Sequence, residues 1–286
     1  MNNNECLKCN NSGKKYIFDD EIYYCKNCYN YYYIKKIQRQ VTFGHEDFGN
    51  AQADTRSKYF KNIFDYLESQ NNQLDVIEIG AGFGGYIQHA KTQGHNCTAI
   101  DLNTSYKHIF DKQGINFIEL DVEDFSIKLT QNVVIMSHIL EHLRNPIYSL
   151  EKILNENVEY LVIEVPNSNG VIFKFSKLLL MFKIDFLWNR LWQKNSTSPH
   201  LFYFSDKTFK DFEAKLNLKI EKTFRTRFST LKDSFRRTRA TENLIISLIS
   251  IFAIQIFELI NLIFGLSENK CYVMKNLNYV KRVQSV

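Results

Sequence analysis

The chain has 286 residues, enough for one large domain plus a small module, or for two modest domains. With 44% apolar and 23% charged residues it sits near the globular average, which excludes a disordered or fibrous chain. A net charge of +5 and a pI of about 8.7 do not by themselves mark a nucleic-acid binder.

The first residues lack the basic and apolar regions of a signal peptide, so the expectation is a cytoplasmic, reducing location in which cysteines stay thiols or bind metal. Four of the six cysteines fall as Cys6-x2-Cys9 and, after fifteen residues, Cys25-x2-Cys28. This is the two-knuckle spacing of a zinc ribbon, in which each turn offers two thiolates to one structural Zn2+. Between them Tyr16-Ile17-Phe18 and Ile22-Tyr23-Tyr24 read as a hairpin turning at Asp19-Asp20-Glu21. Lys8, Lys14, Lys15 and Lys26 are offset by Glu5, Asp19, Asp20 and Glu21, so the ribbon is not a basic patch and nucleic acid is not the expected partner. Residues 1–35 form the zinc module, 36–55 a polar connector and 56–286 the main domain.

From Arg56, the residues Tyr59, Phe60, Ile63, Phe64 and Leu67 recur at helical spacing. Strands are expected at 75–79, 96–100, 116–120, 133–137 and 160–165, with helices at 86–92, 105–113 and 146–155 between them. That alternation predicts an α/β, doubly wound parallel sheet. A helix at 206–216, a sixth strand at 218–224 and a last antiparallel strand at 270–275 complete it. Cys97 and Cys271 fall within apolar strands and read as packed core thiols.

The run Val76-Ile77-Glu78-Ile79-Gly80-Ala81-Gly82-Phe83-Gly84-Gly85 places a glycine-rich turn between a strand and a helix, where backbone can approach a nucleotide closely. Asp101 ends the next strand, positioned to take two ribose hydroxyls. Glu78 puts a carboxylate where a pyrophosphate would be ill served but a cationic amino-acid end would be welcome. Asp121-Val122-Glu123-Asp124 ends the third strand with acidic groups able to meet an adenine amino group.

These residues resemble motif I and its followers in the class I S-adenosylmethionine-dependent methyltransferases, over about residues 56–276. The later segments Ser137-His138-Ile139-Leu140-Glu141-His142-Leu143-Arg144-Asn145-Pro146, Glu164-Val165-Pro166-Asn167 and Pro199-His200-Leu201-Phe202-Tyr203-Phe204-Ser205 resemble a subgroup found in polysaccharide, antibiotic-sugar and quinone pathways. The resemblance implies donor contact by Gly80, Ala81, Gly82, Asp101, Leu102, Asp121, Val122, Ser137 and His138, joined by Glu78. Phe83 departs from the small or polar residues common at its position. The expected acceptor is a small molecule, a sugar or glycan precursor that can be lipid-linked; the alternative is RNA gripped by the ribbon.

His138 follows the fourth strand and is expected to face the transferred methyl, as a base or as a pocket wall. His142 and His200 join it as candidate catalytic residues. His-x-x-Glu-His with His200 is also a set that can gather a divalent metal, though softer than the oxygen set Mg2+ prefers. Two apolar segments, at about 171–192 and 241–265, are insertions. The second is long enough for a bilayer, yet Ser247, Ser250, Gln255, Glu258 and Asn261 gather on one side, which favours an in-plane helix. Peripheral membrane contact, homodimer packing and simple core remain open for this pair.

Overall fold

The computed structural model describes residues 14–27, 29–33, 53–124, 127–194, 196–226 and 244–280 and, within these, all side chains but those of 53–58, 244–247 and 250. Cys6, Cys9, Cys28 and most of the connector lie outside the described residues. The described chain opens with β1 (Lys14–Tyr16), β2 (Asp19–Tyr24) and β3 (Tyr31–Tyr33). After α1 (Ala53–Gln70) come β4 (Asp75–Ile79), α2 (Gly85–Thr92), β5 (Asn96–Asp101), α3 (Lys107–Gln113), β6 (Asn116–Glu119), β7 (Val133–Ser137), α4 (Pro146–Ile153) and β8 (Tyr160–Pro166). Two short helices, α5 (Val171–Met181) and α6 (Phe186–Leu191), precede β9 (Phe202–Tyr203), α7 (Asp206–Leu216), β10 (Leu218–Thr226), α8 (Leu244–Phe264) and β11 (Asn269–Asn276).

The main sheet has seven strands in the order β10-β11-β8-β7-β4-β5-β6. The strands from β8 to β6 pair in parallel, whereas β11 is antiparallel to both β8 and β10. This is the doubly wound sheet with a reversed last strand that the pattern of apolar runs predicts. Strand β8 is buried along its whole length, as a strand covered by helices on both faces must be. The parallel order turns at β4, with β5 on one side and β7 on the other, so the carboxyl ends of β4, β5 and β7 open a crevice at the switch point.

The amino-terminal hairpin differs from expectation in register and in its attachment. Asp19 opens β2 rather than sitting in the turn, and Tyr16 pairs with Asp19 across Ile17-Phe18. A third strand, β3, pairs antiparallel with β9, so Tyr31 faces Tyr203 and Tyr32 faces Phe202. The small sheet β1-β2-β3-β9 is thus closed by a strand from the main domain. Trp188 donates its indole N–H to Asp19 at 2.7 Å, and Lys194 reaches the same carboxylate at 2.6 Å. Ile22, Cys25, Tyr32 and Tyr33 are buried in the same core as Phe173, Trp188 and Trp192.

Helix α8 inserts between β10 and β11 and packs on α5, where Phe257 and Phe175 stand 5.4 Å apart ring to ring. Its burial is inverted. Among its described side chains the one buried position is polar, Asn261, while Leu248, Ile249, Phe252, Ile256, Leu259, Leu262, Ile263 and Phe264 are exposed. The turn from α5 to α6 adds Met181, Phe182, Ile184 and Phe186, with Phe182 70% exposed. Among the described residues no helix is long and apolar enough to cross a membrane.

Candidate active site

Strand β4 delivers the chain into a turn whose first position strongly favours glycine. Gly80 has φ +68°, and a Cβ there would stand 2.1 Å from Ile139 Cδ1. Gly82 also has a positive φ of +50°, but a Cβ on it would meet nothing within 4 Å. The first glycine is therefore required by packing, and the second leaves an open cradle. Asp101 shapes that cradle: Gly82 donates its N–H to Oδ2 and Asn103 donates to Oδ1, both at 2.7 Å. One carboxylate thus ties the glycine loop to the end of β5.

Other expected donor contacts follow the ends of β4, β5 and β6 in the chain. Ala81 and Val122 are buried and Leu102 is exposed. Asp121 accepts the N–H of Glu123 and so fixes the turn after β6. Glu78 is buried, and its Oε2 accepts the N–H of Ile87, clamping β4 to α2. Phe83, the departure from the family pattern, packs edge-on against Tyr106 with ring centres 5.9 Å apart.

At the end of β7 the chain enters a left-handed residue, His138, with φ +55°. Its N–H bonds Glu164 O at 2.9 Å, and the turn leads directly into the 3-10 segment Leu140–His142. The imidazole is held between two carboxylates, with Nδ1 3.1 Å from Glu141 Oε1 and Nε2 3.7 Å from Glu164 Oε1. Burial pulls its pKa down, but the hydrogen bonds and charges of Glu141 and Glu164 outweigh that and push it up to about 9. An imidazole so held carries a proton at neutral pH and is not poised to take another.

Glu164 was not legible as a site residue. It is a nearly fully buried carboxylate within β8, and its Oε2 accepts the hydroxyls of Tyr86 at 3.1 Å and Ser137 at 2.8 Å. The available signal was a single charge in the apolar run Tyr160–Pro166, which a buried strand retains only with partners.

Glu141 is fully buried. Burial would raise its pKa, but His138 foremost, then His142 and His200, lower it. His142 donates from Nδ1 to Pro199 O at 2.9 Å. His200 is brought beside it, ring centres 4.8 Å apart, by backbone bonds from His200 to Trp192 and from Leu201 to Glu141. Burial, then the neighbouring His142, pull the His200 pKa down to about 3, so this ring is neutral. One ligand atom from each of Glu141, His142 and His200 lies within 4.8 Å of the others, a grouping able to hold a cation. The four side chains His138, Glu141, His142 and His200 therefore meet, although 62 residues separate the first from the last.

A family model described as a methyltransferase domain matches residues 51–223. No curated protein sequence matches the chain. Among solved structures, magnesium protoporphyrin IX methyltransferase from Synechocystis PCC 6803, with bound S-adenosylhomocysteine, superposes with a TM-score of 0.50 at 12% identity, covering 84% of this chain and 90% of that one. Geranyl diphosphate C-methyltransferase from Streptomyces coelicolor, in complex with Mg2+, geranyl diphosphate and S-adenosylhomocysteine, gives a TM-score of 0.50 at 9% identity, covering 78% and 79%.

Proposed function

Because the chain belongs to the methyltransferase-domain family and is an S-adenosylmethionine-dependent enzyme, we propose that it methylates a small sugar-like acceptor carried on a lipid and met at the cytoplasmic membrane surface. The observation that carries this reading is the inverted α8, whose polar Asn261 faces the protein while its apolar side chains face outward. A helix apolar on its outer face is stable when lipid or another protein covers it. Lipid is favoured by charge: residues 225–243 hold Arg225, Arg227, Lys232, Arg236, Arg237 and Arg239 against Asp233 and Glu242. Each basic group near an anionic surface contributes on the order of 1 kcal/mol. Helix α5, which packs on α8, starts just beyond the carboxyl end of β8, the side on which open α/β sheets bind ligands.

In this reading Gly80, Ala81, Gly82, Asp101, Leu102, Asp121, Val122 and Ser137 hold the donor. The open space at Gly82 supports backbone approach to it. Glu78 acts through α2, and His138 is a fixed cationic wall that aligns rather than abstracts. His142 and His200 face the acceptor, where alignment of nucleophile and sulfonium supplies most of the catalysis.

A structural zinc held by Cys6, Cys9, Cys25 and Cys28 completes the reading. It is supported at Cys25, which is buried and opens a tight turn in which Tyr29 N–H bonds Cys25 O at 2.8 Å and Cys25 N–H bonds Asn30 O. Four thiolates leave no open position, so this ion would act on folding alone.

The test is vesicle flotation combined with methyl transfer from labelled donor to extracted lipid-linked glycans or to RNA. Flotation with anionic vesicles, release by high salt and label in the glycan fraction are the expected results. Label in RNA, or a soluble dimer that ignores vesicles, would overturn the acceptor and membrane assignments respectively.

A further inference from the structure

We propose that Glu141, His142 and His200 form a binding site for one late first-row divalent ion of the zinc class, distinct from any cysteine site. Two buried polar atoms carry the inference. Neither Glu141 Oε2 nor His200 Nδ1 makes a hydrogen bond of normal geometry, although Glu141 is 0% and His200 9% exposed; the Leu191 backbone lies near the His200 ring. Leaving such groups unsatisfied costs about 1–3 kcal/mol each, more for a charge, and each is a ligand atom for a metal.

The surroundings prepare all three donors. Glu141 uses Oε1 for His138, leaving Oε2 turned away from that bond. His142 donates from Nδ1 to a backbone carbonyl, which makes Nε2 the lone-pair nitrogen; such an outer bond orients the ring of a metal-binding histidine. The side-chain amide of Gln193 lies 2.9 Å from His200 Nε2. The contacting atom is the amide nitrogen, and it is the flipped amide, with its oxygen on the ring, that makes Nε2 the donor and leaves Nδ1 its lone pair. One donor atom from each of the three residues lies within 4.8 Å of the others, so the side chains need to close by about 1–1.5 Å to reach tetrahedral bonds of about 2.0–2.1 Å. His138 is excluded from the set because both its nitrogens face carboxylates.

Two imidazoles and one carboxylate suit zinc-class ions rather than Mg2+ or Ca2+, which take oxygen donors. Three protein ligands leave a position open. An oxygen acceptor bound there would have its hydroxyl pKa lowered. Only this last step rests on the methyltransferase reading.

The experiment counts metal without turnover. Full-length protein is stripped with chelator, reloaded with zinc and analysed for ions per chain, beside His200→Ala and Glu141→Gln. Wild type should hold one equivalent more than either variant, whatever the cysteines bind. Equal metal content in folded wild type and variants would overturn the site. Should the variants fail to fold, X-ray absorption at the metal of wild type decides: imidazole and oxygen donors support the site, and sulfur donors alone refute it. Failure of S-adenosylmethionine binding in wild type would count against the enzyme reading and leave the metal count intact.

Discussion

Gly82 N–H donates to Asp101 Oδ2 at 2.7 Å, so the residue expected to hold the donor's ribose also anchors the loop expected to cradle the rest of it. Replacing Asp101 with Ala removes acceptors for Gly82 and Asn103 as well as for a ligand. Hydrogen bonds to a charged group contribute about 1.5–3 kcal/mol each. Donor affinity measured by calorimetry should fall at least tenfold, with a smaller loss in Asp101→Asn, which keeps one oxygen. Wild-type affinity in Asp101→Ala would show that the ribose is held elsewhere.

The two glycines of the turn should separate stability from binding. In Gly80→Ala the new methyl collides with Ile139 at 2.1 Å, on top of a left-handed φ. The left-handed conformation alone costs about 1–2 kcal/mol, and the clash adds to it, so the melting temperature should drop. In Gly82→Ala the backbone cost remains but no protein atom is met. That variant should lose donor affinity out of proportion to its stability. Parallel losses in both would mean that Gly82 is structural too.

Much of this architecture was readable from apolar periodicity, because strands such as Val133–Ser137 and Tyr160–Pro166 are continuous apolar runs bounded by turns. The glycine turn and Asp101 were readable because backbone geometry and a strand end fix their chemistry. What was not readable depended on distant partners. Strand β9 is two residues long and exists through pairing with β3, about 170 residues earlier in the chain. The second carboxylate beside His138 was hidden likewise: Glu164 sits opposite Ser137 through the parallel register of β7 and β8. The inverted face of α8 was half visible, since its polar residues share a side, but whether that side faces protein or water is a tertiary fact.

The attachment of the amino-terminal hairpin rests on Asp19. Its carboxylate is 8% exposed and takes both Trp188 and Lys194, the latter 14% exposed. Asp19→Ala leaves an indole N–H and an ammonium without that acceptor, at a cost of about 1–3 kcal/mol. Hydrogen exchange should show protection lost first in β1, β2 and β3 while β4 through β8 stay protected. Uniform loss across the chain would mean the small sheet and the main sheet open as one unit.

Glu268 links three elements at the root of the inverted helix. Its Oε1 accepts the N–H of Ile172, at the start of α5, and the side-chain amide of Asn261, on α8, both at 2.9 Å. A carboxylate at a helix start is favourable, and hydrogen bonds there act to lower its pKa. Burial outweighs them, and the carboxyl is held above its ordinary value of 4.5. Tyr203, a titratable group that senses it, stays protonated through burial. The folded chain therefore holds the Glu268 proton more tightly than the unfolded chain does. Stability from this group is greatest at low pH and is lost as pH rises from the ordinary carboxylate range through the raised folded value. Glu268→Gln removes the buried charge while keeping an oxygen for the Ile172 N–H. Denaturant unfolding across that pH window should show the variant gaining on wild type as pH rises and losing this part of the pH slope. A constant offset at every pH would place the titration elsewhere, and a large loss at all pH values would mean that the charge itself is what holds α5 and α8 to the end of β11.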